Sequence, residues 1–267
     1  VLDVHDSLVV YNLRNLGSRR FQMEGKVSNP KSVSPSAISV WQNCKRKYYQ
    51  QYKLNLPRKP SPGADLGEAI HGISQKWILC QPVQGDSRAH ECAKALFPIL
   101  PVGLPDSQVE VKISLQIPTL PPINGRVDHW EIMEWLRVSD IKTTSNFQYC
   151  KTEEQLLVDP QAVIYCTALL DRVSVRDKVK FRHLYVRTTK PYYTKVVEVT
   201  FDLDALHKEF MRLLDIVGRM VDTWNTELKY VEGSTEACGM YGGCDYTCHC
   251  AAEGIQTMGA YTPRIKR

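Results

Sequence analysis

The chain has 267 residues, 43% of them hydrophobic and 24% charged, a globular composition long enough for one large domain or two small ones. No stretch approaches the roughly 18 consecutive apolar residues that a membrane helix needs, and Asp3, His5, Asp6 and Arg14 interrupt the first residues too often for a secretory apolar core. The formal net charge of +5 is concentrated: eight basic residues and no acidic one lie between Gly25 and Ala64, leaving 26 basic against 29 acidic residues elsewhere.

Residues 1–33 carry little pattern and stand as an N-terminal segment. Ser34 as a cap and Pro35 at the first helical position then open a helix. Ile38, Trp41, Tyr48 and Tyr52 recur near helical spacing, which predicts one basic helix with Cys44 on its apolar face and Lys45, Arg46 and Lys47 fanning outward. That segment reads either as a solvated helix face or as a phosphate-binding surface on which Trp41, Tyr48, Tyr49 and Tyr52 stack bases. Asn55 to Gly63 holds three prolines and reads as a loop. Helices are expected over Asp65–Leu79, with Gly67 and His71 on one face, and over Ser87–Leu96.

The period then changes. Val109, Val111, Ile113, Leu115 and Ile117 alternate with polar residues, predicting a half-buried strand. On it Glu110 is a candidate extra acid before Asp128, but it reads rather as one of the charges common on an exposed strand face than as a metal ligand. Strands over Ile123–Trp135 and Leu136–Thr143 follow, then a helix over Gln155–Arg172, strands over Arg182–Thr188 and Lys195–Phe201, and an amphipathic helix from Leu203 to about Leu228. A Gly- and Cys-rich tail begins after Gly233. The order predicts an α/β fold with a central mixed sheet flanked by helices, the N- and C-terminal helical parts packing as a second lobe.

Two short segments carry the chemistry. Asp140 and Lys142 are two apart on a predicted strand and share a face, with Ile141 toward the core. An adjacent strand bearing Asp128, in Gly125-Arg126-Val127-Asp128, brings a second carboxylate to the same place, and hard dications such as Mg²⁺ and Mn²⁺ take such oxygens. A lysine beside the metal orients a water or steadies charge building on a phosphate. The alternative is an Asp–Lys pair on a strand surface. Gln161 and Tyr165, one helical turn apart, follow on the next helix. Of nine cysteines, Cys238, Cys244, Cys248 and Cys250 crowd into 13 residues, an arrangement that reads first as a metal or iron–sulfur site. Close Cys–Cys spacing with His249 also suits zinc. Cys80, Cys92, Cys150 and Cys166 read as packed thiols.

Taken in order, these motifs resemble the PD-(D/E)XK nuclease superfamily in its RecB-like iron–sulfur exonuclease branch, the type found in phage recombination and CRISPR adaptation. Ser34 to Tyr49 resembles the branch's N-terminal helix, although Asn43-Cys44-Lys45 lacks the proline of the usual Cys-Pro-Arg. Leu66 to His71 is similar to its Gly-x-x-x-His motif, Gly125 to Asp128 to its Gly-x-(Ile/Val)-Asp motif, and Gln161-x-x-x-Tyr165 to its Gln-x-x-x-Tyr motif. The resemblance implies a restriction-endonuclease-like core over residues 34–232 and a cluster segment over residues 233–267. It implies metal ligation by His71, Asp128, Asp140 and the Ile141 carbonyl, catalysis by Asp128, Asp140 and Lys142 with support from Gln161 and Tyr165, and DNA contact by Lys45, Arg46, Lys47, Tyr48 and Tyr49. It also implies a [4Fe-4S] cluster on Cys44, Cys238, Cys244 and Cys250 that joins the N- and C-terminal parts. The tail departs from the usual C-x₂-C-x₅-C, which brings Cys248 into play as a ligand, and zinc stays the alternative metal. The implied activity is a Mg²⁺- or Mn²⁺-dependent exonuclease on DNA ends or single strands, without sequence specificity, in replication, recombination or repair. Its expected place is the cytoplasm of a bacterial or phage-infected cell, with a recombination or replication protein as partner and no membrane. A catalytically silent DNA-binding protein and a zinc-tail interaction module are the other classes.

Overall fold

A computed structural model describes residues 28–170, 172–173, 178–239 and 243–252, so most of the N-terminal segment 1–33 lies outside the described residues. In chain order the elements are α1 (Pro35–Asn43), α2 (Lys45–Tyr48) running into a π-type turn over Tyr49–Lys53, α3 (Pro62–Ile78), α4 (Arg88–Leu96), β1 (Val109–Leu115), β2 (Ile123–Ile132), β3 (Leu136–Thr144), α5 (Glu153–Leu157), α6 (Pro160–Leu170), β4 (Lys178–Arg187), β5 (Thr194–Asp202), α7 (Leu203–Asn225), α8 (Thr235–Cys238) and α9 (Thr247–Ala252). None of the described helices is long and apolar enough to cross a membrane.

Two expected helices are broken, each for a local reason. The basic helix is interrupted at Cys44, which is extended at φ −159°, ψ 108°. Its backbone N–H closes α1 on Val40, and its Sγ accepts the Lys47 N–H at 3.4 Å, opening α2. The Gln155–Arg172 helix is split before Asp159-Pro160. There the Asp159 Oδ1 accepts the N–H groups of Gln161 at 2.9 Å and Ala162 at 3.2 Å, and Pro160 takes the first helical position.

The chain divides into two compact units. The first comprises Ser61–Leu115 and Asn124–Leu213 and holds the sheet, in the order β1-β2-β3-β4-β5. β2 and β3 are antiparallel, β3 and β4 parallel, β4 and β5 antiparallel, so the sheet is mixed. The parallel step needs a crossover, which α5 and α6 supply. α3 and α4 pack on each other and on the sheet, α6 packs on β1, β3 and β4, and α5 on β5. Alternation along β3 sorts the two faces. Ile141 and its β4 partner Leu184 pack with Ile70, Ile78, Cys92 and Leu96 of α3 and α4. Asp140 and Lys142, paired with His183 and Tyr185, turn to the opposite face, where Gln161 of α6 reaches Asp140.

The second unit comprises the described residues up to Pro60, Gln116–Ile123, and those from Leu214 on, so the N- and C-terminal helical parts form one body as the helix pattern predicts. Within it Trp41 Nε1 donates to Thr223 Oγ1 at 2.9 Å, the Arg46 guanidinium donates to the carbonyls of Leu228 at 2.8 Å and Val231 at 3.0 Å, and Tyr246 donates to the Leu56 carbonyl at 3.2 Å. These bonds link the N-terminal helices to the C-terminal segment within this unit.

Candidate active site

The first unit gathers titratable side chains from four elements. α3 presents His71, β2 presents Asp128, β1 presents Glu110, and β3 presents Asp140 and Lys142. His71 Nδ1 lies 3.2 Å from Asp128 Oδ2, which also accepts the Ile141 N–H at 2.6 Å. One ligand atom each from His71, Glu110 and Asp128 lie within 4.8 Å of one another, the geometry that a single cation requires. Lys142 Nζ sits 2.5 Å from Asp140 Oδ2, and Gln161 Nε2 donates to Asp140 Oδ1 at 2.5 Å and to Tyr165 Oη at 3.3 Å.

Glu110 is the member that strand alternation places elsewhere. Its backbone has φ 52°, in the left-handed region that L-residues seldom enter. Val109 and Ile113 remain buried while Val111 is only half-buried, so the alternation slips at this point. A periodic reading puts Glu110 on the solvent face, whereas the structure turns it toward His71 and Asp128, with Arg126 3.4 Å away. Gly125 has its own reason to lack a side chain: a Cβ there would lie 2.7 Å from the Tyr165 ring and 3.3 Å from Ile113. The glycine of the Gly-x-Val-Asp segment therefore lets the Tyr165 ring cross β2 beside Gln161.

The electrostatics are those of a site short of positive charge. Burial pushes the Asp140 carboxyl up to about 7, against the pull of Lys142. Burial also works on Asp128, but its hydrogen bond and ion pair with His71, together with Lys142 and the Ile141 N–H, outweigh it and hold the carboxyl below its usual range. Glu110 is raised by burial and then by the neighbouring Asp128. Burial opposes the charged forms of His71 and Lys142, yet the carboxylates prevail and raise both. A bound dication would reverse the upward shifts of Asp140, Glu110, His71 and Lys142 and reinforce the downward one of Asp128, favouring ionised carboxylates and a free imidazole. Behind Asp140, His183 is 1% exposed, and burial lowers its pKa to about 2.

The sequence-selected residues His71, Asp128, Asp140, Ile141, Lys142, Gln161 and Tyr165 therefore all lie in this first unit and in mutual reach. The expected DNA-contacting set fares differently. Arg46 is 0% exposed, Tyr48 1% and Tyr49 5%, so these three are corrected from contact residues to interior ones. The break at Cys44 turns Arg46 inward to the Leu228 and Val231 carbonyls, and the tyrosines join the second unit's core. Lys45 and Lys47 stay at least partly exposed, Lys45 in an ion pair with Glu232 at 2.5 Å. Cys44, Cys238, Cys244 and Cys250 all belong to the second unit. The Cys244 thiol is raised by burial, and it also feels Lys47 and the thiols of Cys238 and Cys44. Cys250 is buried against Gln50, whose Nε2 is 3.6 Å from its Sγ.

The profile of the PD-(D/E)XK nuclease superfamily matches residues 32–102. That stretch contains His71 and ends before Glu110, Asp128, Asp140 and Lys142. Among solved structures, a Eubacterium rectale protein that carries a provisional exonuclease designation shares the fold. Its TM-score is 0.53 at 10% sequence identity, covering 92% of this chain and 97% of that one. The protein SSO0001 aligns over 85% of this chain and 89% of its own, with TM-score 0.49 and 14% identity. No curated protein matches the chain in sequence.

Proposed function

We propose that the chain is a divalent-metal-dependent deoxyribonuclease, an exonuclease on DNA ends or single strands that acts without base specificity in replication, recombination or repair. The observation that carries this reading is the meeting of His71, Glu110 and Asp128 next to the Asp140–Lys142 pair. Three carboxylates and one imidazole around one lysine is a donor set that suits Mg²⁺ or Mn²⁺. His71, Glu110, Asp128, Asp140 and the Ile141 carbonyl would hold one or two such ions. Bound there, the ion supplies a Lewis acid for the scissile phosphate and a water of lowered pKa. Lys142, kept cationic by two carboxylates, steadies the charge that builds on the phosphate during in-line attack. Gln161 fixes the Asp140 carboxylate and is itself seated by Tyr165. Lys45 and Lys47 are left to contact strand phosphates, which guides DNA by charge rather than by base identity.

The same reading assigns Cys44, Cys238, Cys244 and Cys250 to a [4Fe-4S] cluster. Its support is their membership of one unit and the nearness of Cys44 and Cys238 to the Cys244 thiol, which feels both. Among the described residues the cysteines do not form a group with sulfurs within 4.8 Å of one another, the separation that a single tetrahedral zinc requires. Iron and sulfide analysis of protein purified without oxygen tests the assignment, and stoichiometric zinc in a colourless protein would replace it. Activity is tested by digesting 5′- and 3′-labelled single- and double-stranded DNA with Mg²⁺ or Mn²⁺. Stepwise loss of label that vanishes in Asp140→Ala is the expected result. Intact DNA in both proteins would refute the proposal.

A further inference from the structure

Behind Asp140 runs a buried chain of polar groups that the motifs do not include. The Lys151 N–H donates to Tyr185 Oη at 3.0 Å. Tyr185 Oη lies 3.1 Å from His183 Nδ1. His183 Nε2, which makes no hydrogen bond among the described residues, lies 3.8 Å from Asp140 Oδ2. Strand register builds this arrangement, since Asp140 pairs with His183 and Lys142 with Tyr185 across the parallel β3–β4 ladder. The imidazole is clamped edge-on between the rings of Phe181 and Tyr185, at centroid distances of 5.1 and 5.4 Å. Lys151, at the head of the chain, is fixed through its Nζ to Asp159, the cap of α6.

The tautomer follows from proton counting. Tyr185 Oη already accepts from Lys151 and has one proton to give. Among the described residues the acceptor within its reach is His183 Nδ1, so the ring proton sits on Nε2 and faces Asp140. The 3.8 Å separation exceeds a hydrogen bond by about 1 Å and is too short to admit a bridging water.

The geometry points to His183 as a positioning residue: its neutral Nε2–H closes on Asp140 Oδ2 when a dication binds, and Tyr185 keeps that proton on Nε2. This rests on the metal-dependent reading above and adds the group that orients its acid. A neutral donor is the fitting choice here. It favours the ionised carboxylate and fixes the carboxylate plane, yet it adds no positive charge to repel the ion. Gln161 on Oδ1 and Lys142 and His183 on Oδ2 then hold Asp140 from both sides. Partners of this kind commonly change metal affinity by about 10- to 100-fold when removed.

The test is Mn²⁺ binding to the full chain by calorimetry, with thermal melting of the metal-free protein run in parallel. His183→Leu is expected to weaken Mn²⁺ binding about 10-fold in a protein that still melts cooperatively, its metal-free melt lowered only by the unpaired Tyr185 hydroxyl. His183→Gln, whose amide Nε2 can occupy the donor position, is expected to recover most of the affinity. Tyr185→Phe retains the imidazole but removes the hydroxyl that fixes its tautomer and accepts the Lys151 N–H, so it should weaken binding about threefold or more, with its metal-free melt reporting the loss of the Lys151 bond. If His183→Leu and Tyr185→Phe bind Mn²⁺ like the wild type, or if the glutamine variant is as weak as the leucine variant, the inference falls while the metal centre stands. If the wild type itself takes up no Mn²⁺, the metal centre falls and this inference falls with it.

Discussion

A half-buried residue of β1 and a buried one of β2 show how much of the site's character sits in single side chains. Glu110 holds a strained left-handed backbone beside Asp128, a like charge, and both features cost stability in the metal-free protein. Glu110→Gln should therefore weaken Mn²⁺ binding about 10-fold while the metal-free melt stays level or rises. An unchanged binding isotherm would remove Glu110 from the ligand set. His129, next to Asp128 in sequence, is 0% exposed, and neither ring nitrogen has a hydrogen-bond partner among the described residues. Burial, reinforced by the nearby Arg182 charge, lowers its pKa to about 3 from the ordinary 6.5. The depressed value sets the sign: above pH 6.5 the imidazole is neutral in both folded and unfolded chains and its contribution is intact. As pH falls toward 3 the unfolded chain takes up the proton first, and stability drops by up to about 1.4 kcal/mol per pH unit. The metal-free Asp140 titrates in the opposite sense, so the clean measurement is a difference. The wild type minus His129→Leu stability gap should slope with pH between about 6.5 and 5, and a flat gap would contradict the assignment.

At the level of elements, the strands and most helices were legible because alternation and helical spacing leave a direct mark on the sequence. Asp140 and Lys142 were legible for the same reason, since two residues apart on a strand means one face, whereas His71 and Asp128 were picked out by the order of short motifs that the resemblance supplied. What stayed hidden were places where the backbone leaves its period without Gly or Pro to announce it. Cys44 breaks a helix through its own extended backbone and thiol cap, and that break carried Arg46 inward against the expectation of an outward charge. Glu110 slips a strand by one left-handed residue. Asp159-Pro160, in contrast, is a readable helix start inside a pattern taken as one helix. His183 was invisible because its role depends on register with β3, which no single strand displays. Gly125 links element to site. A methyl group there would stand 2.7 Å from the ring of Tyr165, which is buried and has little room to retreat. Gly125→Ala should cost about 1–3 kcal/mol of stability and lower nuclease turnover by disturbing the Tyr165–Gln161–Asp140 contacts. Gln161→Ala, which leaves Gly125 and the Tyr165 ring untouched, should lower turnover with little loss of stability. A wild-type melt for Gly125→Ala would show that the ring moves freely.

For the whole molecule, the concentrated charge of residues 25–64 resolves into two kinds of cation with opposite consequences. Arg46 is an interior group that joins residues about 180 positions apart, its guanidinium bonded to the Leu228 and Val231 carbonyls. Lys45 and Lys47 lie on the outside of the same short helix, and the Lys45–Glu232 pair, with both side chains well exposed to water and salt, adds little to stability. Arg46→Ala removes the guanidinium bonds to the Leu228 and Val231 carbonyls and empties a large volume in the second unit, so it should destabilise the protein by about 3 kcal/mol or more. If the cysteines of that unit hold a cluster, the same change should lower its iron content, since it loosens Cys44 from the C-terminal segment. Lys45→Ala with Lys47→Ala should barely move the melt. It should instead weaken DNA binding, and the slope of log affinity against log salt should fall by about one per lost phosphate contact. Measuring both quantities on both proteins separates the roles. The reading fails if Arg46→Ala melts like the wild type, or if the double lysine variant retains the full salt slope, because the phosphate contacts would then come from elsewhere on the molecule.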